Sequence, residues 1–163
     1  MTSQKPHDDK LDSLKDLMSV VSSAEVGLVI LDINYTIRVW NLFMVNHSAQ
    51  SAENVMGKNI FECFPAISKE WFSEKTQQSI LNKEKIITTW DENPYLFQFK
   101  NTRQRSKSAA YMYQNITFIP LASANGEIEN FAITINDVTD IAASTQQLDA
   151  VVSEYTSTIN HKK

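Results

Sequence analysis

GEIENFAITINDVTD, residues 126–140, decides how this chain is read. The Ser123–Gly126 turn leads into a β-rich run, Ile128–Asn136, which closes on Asp137-Val138-Thr139. Directly after it, Ile141, Thr145, Leu148, Val152, Tyr155 and Ile159 recur at steps of four, three, four, three and four. Each alternating pair of steps spans seven residues, about 3.5 per step, which is the period of a two-stranded supercoil. A strand running straight into a heptad-like helix is a way for a folded core to pass strain to a partner.

Working back toward the N-terminus, Tyr111–Leu121 alternates as a strong strand, and NTRQRSKSAA (101–110) reads as a loop. Lys85–Trp90 is β-rich, Asp91–Pro94 turns the chain, and Tyr95–Lys100 starts another strand. Ser68 is placed to cap a helix over Lys69–Leu81, and shorter helical pieces fill the stretch from Asn41 to Phe64. Leu28–Leu31 and Thr36–Trp40, joined by a turn at Asp32-Ile33-Asn34, form a hairpin. Leu11, Leu14, Met18 and Val21 share one face of an amphipathic helix. The expected organisation is a disordered tail (1–8), an N-terminal amphipathic helix (9–23), an α+β domain (25–139) and a C-terminal signalling or coiled-coil helix (140–163).

Bulk properties narrow the function. The chain has 163 residues, 42% of them hydrophobic and 21% charged, which is ordinary globular material. Its net charge of −4 gives no basic face for nucleic acid. No apolar run approaches the ~20 residues of a membrane span, and no signal-peptide core opens the chain, so a cytoplasmic location is expected. The single cysteine, Cys63, excludes an intramolecular disulfide. No paired carboxylates with a histidine form an acid–base set, and Gly57 alone makes no phosphate loop. The chain reads as a non-enzyme. A small cone-shaped α+β enzyme would need an inward Asp or Glu, and the strand register offers none.

Three pieces in order, GLVILDINYTIRVWN, SAENVMGKNIFECFP and MYQNITFIPLASANGEIENFAITINDVTD, resemble a PAS domain over roughly Glu25–Thr139. The resemblance implies a five-stranded antiparallel sheet of order 2-1-5-4-3, short helices on one face with a cavity beneath them, and flanking N- and C-terminal helices. It also implies a sensor or dimerisation module of bacterial signalling. Such domains often precede diguanylate cyclase or histidine kinase domains. Only one helix follows Thr139, so the effector is expected either outside this segment or as a partner in trans.

The resemblance gives candidate ligand chemistry to test. Light-sensing relatives carry an Asn-Cys beside the flavin; here Ile60 follows Asn59, and Cys63 lies a turn further on. Gln114 matches a polar flavin contact, but Ile135 stands where those relatives have a switching amide. Covalent flavin is therefore not expected. The helix that supplies a haem ligand in other relatives holds no histidine here, so haem is not expected either. His47 ends a helix begun at Asn41, where a cation meets the helix dipole favourably. No metal site is expected, and the cofactor is left unassigned.

Counting by twos from Pro120 puts Phe118, Ile116 and Gln114 on the inward face. The remaining pocket candidates are Leu28, Ile30, Phe61, Phe64, Ile133 and Ile135, with Trp71 and Phe72 as a roof. A packed core is the competing reading. Lys100, Arg103, Arg105 and Lys107 read as a solvated loop tip. Asp137 and Thr139 are expected to cap the tail helix as a signal junction, and Ile141, Leu148, Val152 and Ile159 to form a homodimer stripe. The expected function is sensing of a small ligand or partner, relayed through the C-terminal helix of a homodimer. The alternative is a ligand-free interaction module.

Overall fold

The computed structural model describes residues 25–160 together with Asp16, Leu17, Ser19 and Val20, the last four in helical conformation. The rest of the expected N-terminal helix and the expected disordered tail lie outside the described residues. Five strands form one antiparallel sheet: β1 (Val26–Asp32), β2 (Ile37–Trp40), β3 (Ile86–Thr88), β4 (Gln114–Ala122) and β5 (Ile128–Asp137), in the order β2-β1-β5-β4-β3. Helices α1 (Leu42–Ser48), α2 (Ala52–Val55), α3 (Ile60–Cys63) and α4 (Lys69–Asn82) follow β2 in sequence, and α5 (Thr139–Asn160) follows β5. The expected sheet order and the C-terminal helix are both present.

Each of the helices α1 to α4 starts on a residue able to satisfy the free N–H groups of its first turn. Asn41 accepts from Met44 N at 3.3 Å, Ser51 from Asn54 N at 3.3 Å, Asn59 from Phe61 N at 2.9 Å and Ser68 from Trp71 N at 3.3 Å. Asn41 does more: its Oδ1 also accepts from Leu28 N at 3.0 Å, and its Nδ2 donates to Val26 O at 2.8 Å. One buried amide thus joins the start of α1 to β1. The two elements are close at Gly27, where a Cβ would stand 2.8 Å from Met44 Sδ and 3.0 Å from Ile135 Cβ. Only glycine lets α1 sit that near the sheet.

The register across β1 corrects one expectation. Gly27 faces α1, so Val29 and Leu31 share the helix-covered face, and both are fully buried. Leu28 and Ile30, expected inward, project from the opposite face and are half-buried. The run VGLVIL is apolar at nearly every position because β1 lies between β2 and β5, and periodicity cannot pick a face from such a run. On β4 and β5 the inward set is as expected: Gln114, Ile116, Phe118, Ile133 and Ile135 are all buried.

The connection between β3 and β4 also differs from its sequence reading. Tyr95–Lys100 forms no strand; Lys100 makes an isolated bridge to Tyr111, and a 3₁₀ turn spans Gln104–Ser106. Residues 94–113 are instead a strap whose Leu96, Phe97 and Phe99 are buried in the main core. Alternating Tyr-Leu-Phe-Gln-Phe has strand-like composition, but its N–H groups find partners other than a neighbouring strand.

Candidate functional site: a filled interior, a strap cleft and a clasped helix

The space between the sheet and the helices is occupied by aromatic side chains. Phe72, Phe118 and Phe131 are at most 1% exposed. Phe72 meets Phe118 edge-on at 5.6 Å between centroids, Phe61 at 5.4 Å and Tyr35 at 5.8 Å. T-shaped contacts of this kind add to the burial energy of each ring. Phe72 therefore fills the interior that it was expected to roof, while Trp71 lies half-buried beside it with its ring edge on Phe118.

Gln114 lies at the inner end of β4 and is fully buried. Its Oε1 accepts from Leu96 N at 3.0 Å and Phe97 N at 3.2 Å, and its Nε2 donates to Phe97 O at 2.7 Å. Three bonds satisfy the amide with the strap's backbone, as a buried polar group requires. The residue that matches a flavin contact in light-sensing relatives here holds the strap in the core.

Beside the strap a half-open cleft of about 240 Å³ is lined by His47 from α1, Cys63, Phe64 and Ala66 at and after α3, and Phe97 and Phe99 from the strap. Phe97 and Phe99 stack at 5.2 Å, and His47 stacks on Phe99 at 5.9 Å. Burial lowers the His47 pKa below its ordinary 6.5, against the pull of Asp137 and Glu25 and with that of Arg103. The imidazole is thus neutral near pH 7, which corrects the reading of His47 as a dipole-stabilised cation. Burial pushes the Cys63 thiol up, so it too is uncharged. Phe64, an expected pocket residue, stacks on Trp40 at 5.2 Å and meets Phe97 edge-on at 5.1 Å. Phe61, also expected in the pocket, packs instead against Tyr35 and Phe72.

The far end of the strap meets the start of α5. Asp137 Oδ1 accepts from Thr139 N at 3.0 Å and Thr139 Oγ1 at 2.6 Å. Asp137 Oδ2 accepts from Arg103 Nε at 2.8 Å, and Arg103 Nη2 lies 3.7 Å from Glu25 Oε2 at the head of β1. Thr139 Oγ1 in turn accepts from Tyr113 N at 3.0 Å, and Ser106 Oγ donates to Asp140 Oδ1 at 2.7 Å. Burial raises the Asp137 pKa, but hydrogen bonds from Thr139 and Arg103 outweigh it and hold the carboxyl below its ordinary value. Arg103, read from sequence as part of a solvated tip, is the cation of this clasp. The sequence carried no signal for it, because its partner lies 34 residues away.

Gln146 Nε2 donates to Tyr113 Oη at 3.2 Å, and past it the apolar residues of α5 are exposed among the described residues. Ala142 and Ala143 are buried, whereas Ile141, Leu148, Val152 and Ile159 are between 48% and 64% exposed. Val151 and Tyr155 extend the apolar surface. Among the described residues no three His, Cys, Asp or Glu side chains gather as a metal site, and no helix is long and apolar enough to cross a membrane.

The chain has the fold of a PAS domain. A sensory box sensor histidine kinase from Vibrio cholerae superposes with a TM-score of 0.58 at 25% identity, over 83% of this chain and 99% of that one. An RNA-binding Light-Oxygen-Voltage receptor gives a TM-score of 0.61 at 16% identity over 96% of this chain. The histidine kinase ThkA, in complex with the response regulator protein TrrA, gives 0.58 at 22% identity over 88% of this chain. The present chain spans 42% of the receptor and 39% of the kinase. No protein-family model and no curated protein sequence matches the chain.

Proposed function

We propose that this chain is a non-catalytic cytoplasmic sensor domain that takes up a small ligand or a partner and relays the change through α5 as a homodimer. An effector domain or a partner protein in trans is the receiver. The observation that carries the reading is the Asp137–Thr139 clasp. It fixes the end of the central strand β5 to a 22-residue helix whose apolar stripe is exposed among the described residues. A second copy with the same stripe at the same period supplies that cover. A shift of β5 is then a shift of both helices, and the input selects between two arrangements of the pair. Likeness to a sensor histidine kinase domain over nearly its whole length supports the class.

The filled interior favours a second reading, a ligand-free dimerisation module, in which α5 pairs but receives no input. Sedimentation and amide exchange test the first reading. It expects a dimer with protected α5 amides, and an Asp137→Ala/Thr139→Ala variant that loses protection in the first turns of α5 while β4 and β5 keep theirs. A monomer whose α5 exchanges like a free peptide would refute the reading.

A further inference from the structure

Aromatic rings crowd the interior under the helices, whereas a cleft opens beside the strap. Four rings face it, His47, Phe64, Phe97 and Phe99, beside apolar residues and the uncharged polar Ser48 and Gln98. No Asp, Glu, Lys or Arg lines it, and its two titratable groups, His47 and Cys63, are held neutral. Such a lining repels an ion, which would have to shed its hydration without a compensating charge. It favours a flat, uncharged ring system that stacks. A volume of about 240 Å³ limits the guest to one or two fused rings.

A further observation asks for a hydrogen-bond acceptor. Trp40 is 5% exposed, and its Nε1–H has no partner among the described residues. A buried donor left unpaired is destabilising, and an acceptor that reaches it recovers that loss. The Trp40 ring is stacked on Phe64 and meets Phe97 edge-on at 5.9 Å, so this ring lies directly behind two rings of the cleft wall. We propose that the strap cleft is a binding site for a neutral planar heteroaromatic molecule of one or two rings. It stacks against His47 and Phe99, displaces Phe97 and presents an acceptor to Trp40 Nε1–H.

This site deepens the sensory reading above and rests on it for its consequence. The displaced wall belongs to the strap. Phe99 O accepts from Met112 N at 2.8 Å; Asn101 Oδ1 accepts from Arg103 N at 2.8 Å, and Asn101 Nδ2 donates to Ser106 O at 2.7 Å. Arg103 and Ser106 then hold Asp137 and Asp140 at the start of α5. Arg103 follows Phe99 by four residues, and the segment between is braced at Phe99, Lys100 and Asn101, so movement of the ring reaches the clasp.

Titration of the full chain with 7-azaindole, and with indene as the hydrocarbon of the same shape, followed by ¹H–¹⁵N NMR, tests the site. Saturable shifts are expected at His47 and Phe99 and, further off, at Arg103 Nε–H and the Thr139 amide. The nitrogen heterocycle should bind about ten-fold more tightly than indene, the worth of one satisfied buried donor. Trp40→Phe should bring that ratio close to one. Ala66→Trp, which fills the cleft from an exposed position, should abolish binding of both. No saturable shift with either bicycle, equal affinities for the two, or undiminished binding to Ala66→Trp would overturn the site. Shifts that stop at Phe99 would overturn its link to α5. Failure here leaves the dimer and junction standing on sedimentation and exchange. A monomer with unprotected α5 would sink those while the titration still succeeds.

Discussion

The helix-covered face of the sheet and the outer length of α5 are both apolar, yet they stand in opposite conditions. Behind the sheet, Phe72, Phe118, Phe131, Ile133 and Ile135 meet one another and exclude water entirely. Along α5, Leu148, Val152 and Ile159 are exposed on a helix whose last described contact with its own domain is the hydrogen bond from Gln146 Nε2 to Tyr113 Oη at 3.2 Å. Apolar surface of the first kind specifies the fold. Apolar surface of the second kind is left over among the described residues, and on the proposed reading it is where a second copy packs. Between the two lies the strap, which is anchored in the core by Gln114 and Phe97 and holds the root of α5 by Arg103.

The contrast breaks first at its strongest point. Phe72→Ala removes the ring on which Tyr35, Phe61 and Phe118 converge, and should cost about 3–5 kcal/mol in denaturant unfolding. Gln114→Leu keeps the volume but strands two strap N–H groups and one carbonyl. A loss of about 2–4 kcal/mol is expected, with exchange protection falling across residues 96–99 before the sheet opens. A sheet that loses protection together with the strap would show that the two are one unit.

Smaller effects sharpen the boundary at the junction. Arg103→Met leaves Asp137 without its cation while Thr139 still donates to it, and should destabilise by about 1–2 kcal/mol. Because the Asp137 pKa is depressed in the folded chain, its contribution is present above the ordinary 3.8 and is lost as the pH falls through the lower folded value. Amide exchange at Thr139 should therefore rise in acid below pH 3.8, relative to β1 amides, and Asp137→Asn should remove that difference. Smallest of all, Leu148→Asp with Val152→Asp should leave domain stability within about 0.5 kcal/mol while the dimer dissociates in sedimentation. A large loss of stability in the isolated domain would mean that the stripe packs on its own chain.

The site was partly legible in advance, for reasons that differ by residue. Asn41, Asn59 and Ser68 announce helix starts because a cap acts within three residues. Gln114, Ile116 and Phe118 could be assigned a face because Pro120 and strict alternation fix β4. Leu28 and Ile30 could not, since a strand with apolar groups on both faces has no phase. Arg103 and the strap were invisible for another reason: their partners, Asp137 and Gln114, are distant in sequence, and a loop rich in Lys, Arg and Ser reads as solvent-facing wherever it lies.

What the chain alone determined was local: the turn at Gly126, the β5 run, the period of the helix after it and the caps that start the others. Those follow from dihedral preference, capping and spacing, which act over a few residues. That Phe72 from α4, Phe118 from β4 and Leu96, Phe97 and Phe99 from the strap meet in one core was decided only by the tertiary structure. Filling that volume depends on which distant side chains arrive there and how closely they pack, and no periodicity encodes it.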